Sequence, residues 1–160
     1  MKNKKITVGI LLGAIIIAAF FLRVYNIDSV PAGIYPDEAV NGTDAQLANA
    51  TNDHRWFYTN NYGREGLFMN LISVSIRIFG NTVLGLKFWS ILFGTLTVLG
   101  VYFLTRELFK SHRAGLIASF MTAFSFWAIN FSRISFRAIM VPFILVWSFY
   151  FLLIIEHIVI

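Results

Sequence analysis

The sequence predicts an all-α protein that crosses a membrane several times. Of its 160 residues, 58% are hydrophobic and only 13% are charged, whereas a soluble domain carries about a quarter charged residues. The apolar residues also gather in long runs, with most charges placed at the ends of these runs. We therefore expect a multi-pass membrane protein with about four transmembrane helices, and further helices on the membrane surface in the first outer loop.

The first predicted span covers residues 6–22 and follows Lys2, Lys4 and Lys5. At about 1.5 Å per residue, this run nearly crosses a bilayer core of roughly 30 Å. It is long for a signal peptide, and no small-residue cleavage site precedes Arg23. We therefore expect an uncleaved span whose N-terminal lysines lie in the cytoplasm.

Residues 23–82 form the predicted outer loop, and the part up to Gly66 is the one long polar region of the sequence. An unstructured loop of this length would be unusual, so we expect helices lying on the membrane. Pro36 to about Ala50 is the best candidate, because proline suits the first helical position and acids suit the first turn. A nearby aromatic cluster suits the membrane interface: Trp56, Phe57, Tyr58 and Tyr62.

The number of spans depends on Leu67–Phe79, which is apolar but too short to cross a bilayer. If it did cross, the basic cluster Arg106–Arg113 would lie outside, against the excess of Lys and Arg in cytoplasmic loops. We therefore predict an interfacial or re-entrant helix there. The predicted spans are residues 6–22, 83–105, 114–131 and 138–160.

The remaining bulk properties narrow the class of protein. There is no cysteine, so no disulfide or thiolate site is possible. The net charge of +5 is explained by topology-setting charges at the ends of spans, so we expect membrane lipids and no nucleic acid as partners. The sequence stops at Ile160 inside an apolar run, which favours residues 1–160 being the N-terminal transmembrane module of a larger protein.

Five charged side chains share the predicted outer face: Asp37, Glu38, Arg64, Arg133 and Arg137. Charges at a bilayer boundary are costly unless they are paired, solvated or used, so this cluster is a functional-site hypothesis. A carboxylate can take a proton from an attacking hydroxyl, and arginines can hold a leaving phosphate. The cluster thus suits transfer from a phosphate-linked donor.

Each member of the cluster also has a simpler interpretation. The two carboxylates could merely begin a surface helix. Arg133 and Arg137 are four residues apart, so on one helical face they could reach towards lipid phosphates; the positive-inside rule would not place them on the outer side. Arg64 could pair locally with Glu65 or Asp53.

A metal site is not predicted. Asp37, Glu38 and Asp44 could hold a divalent ion through oxygen ligands. The three histidines, however, are scattered over different regions: His54, His112 and His157. We expect no cofactor besides the donor substrate.

Several short motifs follow one another along the chain: Tyr35-Pro36-Asp37-Glu38-Ala39, Tyr62-Gly63-Arg64-Glu65-Gly66-Leu67-Phe68, Arg106-Glu107-Leu108-Phe109 and Ser132-Arg133-Ile134-Ser135-Phe136-Arg137. In this order and spacing the chain resembles the N-terminal part of the polyprenol-phosphate-sugar-dependent glycosyltransferases of the GT-C fold. These include protein O-mannosyltransferases and the lipid A aminoarabinose transferase. The resemblance covers nearly all 160 residues, but only about the first third of such an enzyme.

The resemblance implies an inverting glycosyltransferase. It would move a sugar from a polyprenyl phosphate to a hydroxyl of a protein, lipid or glycan at the extracytoplasmic face of the plasma membrane. The resemblance places the catalytic base at Asp37, with Glu38 as its neighbour, and donor-phosphate ligands at Arg64 and Arg137. In the family, two prolines usually follow the basic residue that corresponds to Arg64.

In this sequence Glu65 and Gly66 replace those prolines, so the local geometry differs from the family pattern. A membrane transporter or lipid-flipping module that binds a phosphate-bearing headgroup is the alternative function. Transporters typically contain charged or broken helices near the middle of the membrane. The predicted spans show neither.

Overall fold

The structure, a computed structural model, describes residues 2–159, with side chains for residues 5–156 and 158. Within that range about three quarters of the chain is helical, which confirms the all-α prediction. The α-helices are α1 Lys2–Val24, α2 Pro36–Thr51, α3 Leu67–Phe79, α4 Val83–Phe109, α5 His112–Ala123, α6 Phe126–Ser132 and α7 Met140–Val159. A 3-10 turn covers Arg137–Ile139, and two short antiparallel strands, β1 Phe57–Tyr58 and β2 Arg64–Glu65, form a hairpin.

Three helices within the described residues are long and apolar enough to cross a membrane: Lys5–Val24, Val83–Phe109 and Arg137–Glu156. Helices α5 and α6 are bent by 59° at a short break, and they form a fourth candidate crossing if the bent pair counts as one span. The chain is therefore an integral, multi-pass membrane protein. The break at Phe124 and Ser125 differs from the continuous span predicted for 114–131, and neither proline nor glycine marks it in the sequence.

Helix α4 is the centre of the bundle and packs against α1, α3, α5, α6 and α7. Its glycines let the neighbouring helices approach closely. A Cβ atom at Gly94 would clash with the hydroxyl of Ser132 and lie 3.1 Å from Nε of Arg23. At Gly100 it would lie 2.7 Å from Cγ1 of Val146. Both positions therefore need glycine for packing between helices.

Helix α3 begins at Leu67 and ends at Phe79, as predicted, and is too short to cross a bilayer. It packs on α4 on one side and on α2 on the other. A buried apolar cluster joins these three helices to the hairpin and to the turn before α7: Ala45, Ala48, Tyr58, Phe68, Met69, Ile72, Leu86 and Ile139. This cluster fixes α2 over one end of the bundle.

That end, which we call the loop end, carries residues 25–82 and 133–139. The opposite end, called the basic end, carries Lys5 and residues 106–113. There Lys5, Arg106, Lys110 and His112 line a cavity of about 590 Å³ between α1, α4 and the start of α5. Glu107 accepts from Lys110 at 2.5 Å and from Arg106 at 3.3 Å.

Candidate functional site

Glu38 connects the start of α2 to the turn between α6 and α7, and it is only 1% exposed. One carboxylate oxygen of Glu38 accepts the backbone N–H of Ser135 at 2.6 Å, and the other accepts that of Tyr35 at 2.9 Å. Nζ of Lys87, on α4, lies 3.7 Å from Oε1. Glu38 therefore joins three segments, and both of its oxygens already have protein donors.

Asp37, the preceding residue, has a different environment. It is partly exposed, and its Oδ1 accepts a hydrogen bond from Nδ2 of Asn61 at 2.7 Å. Its second oxygen has no hydrogen-bond partner among the described residues. Asp37 lines a cavity of about 210 Å³ whose wall includes Tyr35, Phe131 and Phe136. Asp37 thus combines an oxygen without a hydrogen-bond partner among the described residues with a place in the wall of an aromatic-lined cavity, which Glu38 also lines.

Arg64 is buried against the inner face of α2 and does not line the cavity beside Asp37. Its guanidinium forms an ion pair with Asp44 and donates to the side-chain oxygen of Asn41. Its Nε donates to the carbonyl of Asn60 at 3.3 Å, and Asn60 in turn donates to Asp44 at 2.7 Å. The local partner of Arg64 is therefore neither Glu65 nor Asp53, and the cluster binds the hairpin to α2.

Arg133 is also buried and caps the C-terminal end of α1. Its guanidinium donates to the backbone carbonyls of Leu22 at 2.7 Å, Tyr25 at 2.8 Å and Val30 at 2.6 Å. The last carbonyls of a helix have no partners within the helix, so a cation in this position stabilises its end. Burial lowers the pKa of Arg133, but the guanidinium stays charged at neutral pH.

Arg137 differs from the other two predicted arginines because its guanidinium reaches the surface. Its side chain is 37% exposed and donates to Glu65 at 2.7 Å, whose side chain is 80% exposed. Arg137 begins the 3-10 turn, whereas Arg133 follows the end of α6. The expectation that the two arginines share one helical face is therefore wrong.

The structure does not bring Asp37, Glu38 and Asp44 together as metal ligands. No group of three or more His, Asp or Glu side chains within the described residues could hold a metal ion. Asp44 is paired with Arg64, and Glu38 accepts from two backbone N–H groups. The three carboxylates therefore serve separate contacts.

Sequence reasoning missed two buried cations in the bundle, Lys87 and Arg23. Lys87 is 1% exposed and lies beside Glu38. Its signal was present, because a lone lysine inside an apolar run is a recognised sign of a functional or paired charge. Arg23 is 0% exposed, but a charge directly after an apolar run has the same pattern as a residue that reaches to the membrane surface.

The loop end therefore contains a free carboxylate oxygen, an aromatic-lined cavity and, outside the lining of that cavity, the partly exposed guanidinium of Arg137. A carboxylate in such a place can accept a proton from a hydroxyl, and a guanidinium can bind a phosphate with two parallel hydrogen bonds.

Comparison with known families gives one match. A family model described as dolichyl-phosphate-mannose-protein mannosyltransferase matches residues 67–158. The match runs from α3 to α7 and includes Arg133 and Arg137, while Asp37, Glu38 and Arg64 precede it. No curated protein and no solved structure matches the chain.

Proposed function

Because the chain belongs to the dolichyl-phosphate-mannose-protein mannosyltransferase family, a family of glycosyltransferases, we propose that it carries the catalytic base of an inverting, membrane-embedded glycosyltransferase. Its donor is a sugar on a polyprenyl phosphate, and its acceptor is a hydroxyl of a protein, lipid or glycan. The observation that carries this proposal is the contrast between adjacent carboxylates. Both residues line the cavity, but Asp37 has an oxygen without a hydrogen-bond partner among the described residues, whereas both oxygens of Glu38 accept backbone N–H groups.

The proposed reaction needs a base on the acceptor side of the sugar. As the acceptor oxygen bonds to the anomeric carbon, its proton passes to the free oxygen of Asp37. The bond from the anomeric carbon to the phosphate oxygen breaks on the opposite side, so the configuration inverts. A positioned base of this kind typically contributes about 10² to 10⁴ in rate.

Arg137 is the proposed ligand for the leaving phosphate. Its guanidinium is partly exposed, and its present partner, Glu65, is an exposed side chain that a phosphate can displace. Binding of the developing phosphate charge by a guanidinium stabilises the transition state. Arg64 and Arg133 have the buried contacts described above, so we assign them to holding the hairpin and α1 in place.

We further propose that the loop end faces the extracytoplasmic side of the plasma membrane and that the N-terminus is cytoplasmic. Six of the thirteen Lys and Arg residues lie at the basic end, in the first turns of α1 and around the connection between α4 and α5. Such an excess next to spans is typical of cytoplasmic segments. Of the other seven, four are buried within the protein: Arg23, Arg64, Lys87 and Arg133.

We also propose that residues 1–160 form the N-terminal module of a larger enzyme. The cavity beside Asp37 is about 210 Å³, smaller than the roughly 300–1,000 Å³ typical of ligand pockets. Further elements would have to enclose the donor and exclude water from the reacting groups. The isolated chain should then bind donor without transferring its sugar.

A lipid transporter is the second candidate, and two observations favour it. The α5–α6 crossing is broken, and Arg23 is buried inside the bundle. Both features recur in transporters, where broken helices and buried charges form binding sites. The family match favours the enzyme, and the test below separates the two.

The test is the initial rate of sugar transfer against donor concentration, for full-length wild type and Asp37→Asn in lipid nanodiscs. We expect Asp37→Asn to lower the maximal rate by at least about 10²-fold with little change in donor KM, because asparagine keeps the shape but cannot accept the proton. Asp28→Asn, which alters an exposed acid in the same loop, should keep the wild-type rate. An Asp37→Asn rate above about a tenth of wild type would remove Asp37 as the base; lipid movement without any transfer would favour the transporter.

A further inference from the structure

The cavity at the basic end lies at the opposite end of the bundle from Asp37, and the proposed sugar transfer does not use it. Its volume is about 590 Å³, within the roughly 300–1,000 Å³ typical of ligand pockets. Three cations line it, namely Lys5, Arg106 and Lys110, and Glu107 is the one carboxylate among the described lining residues. Positive charge is therefore in excess along its wall.

The single carboxylate of this wall is shared between two cations. Glu107 accepts from Lys110 at 2.5 Å and from Arg106 at 3.3 Å. Lys5, across the cavity on α1, forms no ion pair with any described residue. A cleft lined mainly by one sign of charge has a potential that attracts ions of the opposite sign. The wall therefore favours an anionic ligand.

Lys110 has a backbone conformation that favours a different residue. It follows the end of α4 with φ 47° and ψ 34°, and glycine or asparagine is the usual residue in this left-handed conformation at the end of a helix. A side chain in this conformation costs stability, and such positions often serve a function. The charge that Lys110 brings to the cavity supplies that function.

His112, the first residue of α5, is held at the same cavity by α4. Its Nδ1 lies 2.8 Å from the hydroxyl of Tyr102, and its Nε2 has no hydrogen-bond partner among the described residues. Gly115 lets α5 come this close, because a Cβ atom there would lie 2.8 Å from the carbonyl oxygen of Tyr102. The start of a helix also favours negative charge. The imidazole is thus fixed beside the cations.

The other part of the cavity wall is apolar. Val8, Leu12 and Phe103 line it, and Leu12 lies seven residues beyond Lys5 on α1, about 10 Å farther along the helix. Gly9 borders the same space, and a Cβ atom there would meet nothing within 4 Å. Charge at one end and apolar surface at the other fit an anion that carries hydrocarbon.

We propose that this cavity binds the headgroup of an anionic phospholipid. The lipid phosphate lies among Lys5, Arg106 and Lys110, and an acyl chain lies along Val8 and Leu12. In the orientation proposed above, the basic end faces the cytoplasmic leaflet, which carries anionic lipids, and basic pockets between membrane helices on that side bind lipid headgroups. The site needs neither Asp37 nor sugar transfer, so either proposal can fail without the other.

The test compares three ligands that share a phosphate group. The full-length protein in detergent micelles is titrated with phosphatidylglycerol, phosphatidylcholine and soluble glycerol 3-phosphate, and native mass spectrometry gives each dissociation constant. We expect phosphatidylglycerol to bind at least about tenfold more tightly than phosphatidylcholine, whose choline cation the basic wall repels. Glycerol 3-phosphate should bind more weakly than phosphatidylglycerol, because it cannot use the apolar wall.

Two variants remove charge from the wall. Arg106→Gln should weaken phosphatidylglycerol by about tenfold or more, because it removes a charge-assisted hydrogen bond. Lys110→Gly should weaken it as well without lowering the stability of the protein, because glycine suits the positive φ. Arg77→Gln, which changes an exposed arginine on α3 at the loop end, should bind as wild type does.

A third variant fills the cavity and keeps every charge. Gly9→Trp places a large side chain in the open space beside Gly9 and should weaken phosphatidylglycerol by about tenfold or more, because the acyl chain loses its apolar contact. Ile10→Trp is the matched control. Ile10 is the next residue of α1, is 67% exposed and does not line the cavity, so this variant should keep the wild-type affinity.

The proposal is overturned if phosphatidylglycerol binds no more tightly than phosphatidylcholine, or if glycerol 3-phosphate binds as tightly as phosphatidylglycerol. It is also overturned if Gly9→Trp keeps the wild-type affinity, or if Arg77→Gln weakens binding as much as Arg106→Gln. Because Gly9→Trp leaves all the cations in place, it decides the matter even if Arg106→Gln does not fold.

Discussion

The interior and the surface of the loop end contain the same kinds of charged side chain, but these charges are satisfied in different ways. In the interior, Glu38 and Arg64 each contact two or more protein groups and are almost fully buried. At the surface, Asp37 and Arg137 each have one side-chain partner, and that partner is itself exposed. Adjacent residues in the sequence therefore belong to different environments.

The buried charges hold the loop end in its fold, whereas the exposed charges are the ones that can contact a substrate. A buried carboxylate whose oxygens already accept hydrogen bonds cannot take up a proton without losing them. A surface carboxylate with a free oxygen can. The interior should therefore determine whether the loop end folds, and the surface should determine whether it transfers a sugar.

The largest loss of stability is expected when Arg64 is replaced. Arg64→Ala leaves Asp44 buried without its cation, and removing one member of a buried pair typically costs about 3–5 kcal/mol. The free energy of unfolding in mixed micelles would measure this. If Arg64 instead acted as an exposed phosphate ligand, the variant would keep its stability and raise only the donor KM.

A paired replacement sharpens this prediction. Arg64→Met combined with Asp44→Leu removes both charges, and apolar replacement of a buried pair is often neutral in stability. We expect the double variant to be more stable than Arg64→Ala. A double variant that is no more stable than Arg64→Ala would show that the pair itself is not what Arg64 contributes.

A smaller loss of stability is expected for Glu38→Gln. The amide nitrogen cannot accept a hydrogen bond, so the N–H of Tyr35 or Ser135 loses its acceptor, and Lys87 loses its counter-ion. An unsatisfied buried group costs about 1–3 kcal/mol. Unfolding of Glu38→Gln against Glu156→Gln, an exposed acid near the end of α7, measures the difference. Equal stability of the two variants would contradict the structural assignment of Glu38.

The smallest effect on stability is expected for Arg137→Gln. Its ion pair with Glu65 is exposed, and such pairs contribute about 1 kcal/mol or less. The same change should raise the donor KM and lower the rate, because a phosphate ligand acts on both the ground and transition states. Glu65→Gln, which frees Arg137, should leave the KM unchanged or lower it. An unaltered KM in Arg137→Gln would remove Arg137 as the phosphate ligand.

The helices were predictable where the signal is local. Apolar length, together with the basic cluster that follows α4, identified Leu67–Phe79 as a segment that does not span, and Pro36 with its following acids marked the start of α2. The break within the third crossing was not predictable, since Phe124 and Ser125 are not strong helix breakers. The hairpin was missed as well, because its two-residue strands are fixed by contacts of Arg64 and Tyr58 with distant helices.

The site was predictable only as a set of residues. The residues alone brought out Asp37 and Glu38 as a pair, and only the family resemblance put the predicted base at Asp37; residue type could not show that their environments differ. Their difference depends on Ser135, which is 97 positions from Glu38. The partners of Arg64 and Arg133 are likewise remote in the sequence or are backbone carbonyls. Every residue has a backbone carbonyl, so the sequence does not mark which ones accept a hydrogen bond. Lys87 carried a usable signal inside its apolar run, whereas Arg23 did not.

The most direct measurement compares Asp37→Asn and Glu38→Gln side by side, recording the transfer rate per folded molecule and the free energy of unfolding for each. We predict that Asp37→Asn loses at least about 10²-fold in rate and unfolds within about 0.5 kcal/mol of wild type. Glu38→Gln should instead unfold more easily and keep its rate within about tenfold. The reverse pattern, with an active Asp37→Asn and a stable but inactive Glu38→Gln, would contradict the assignment of the base to Asp37.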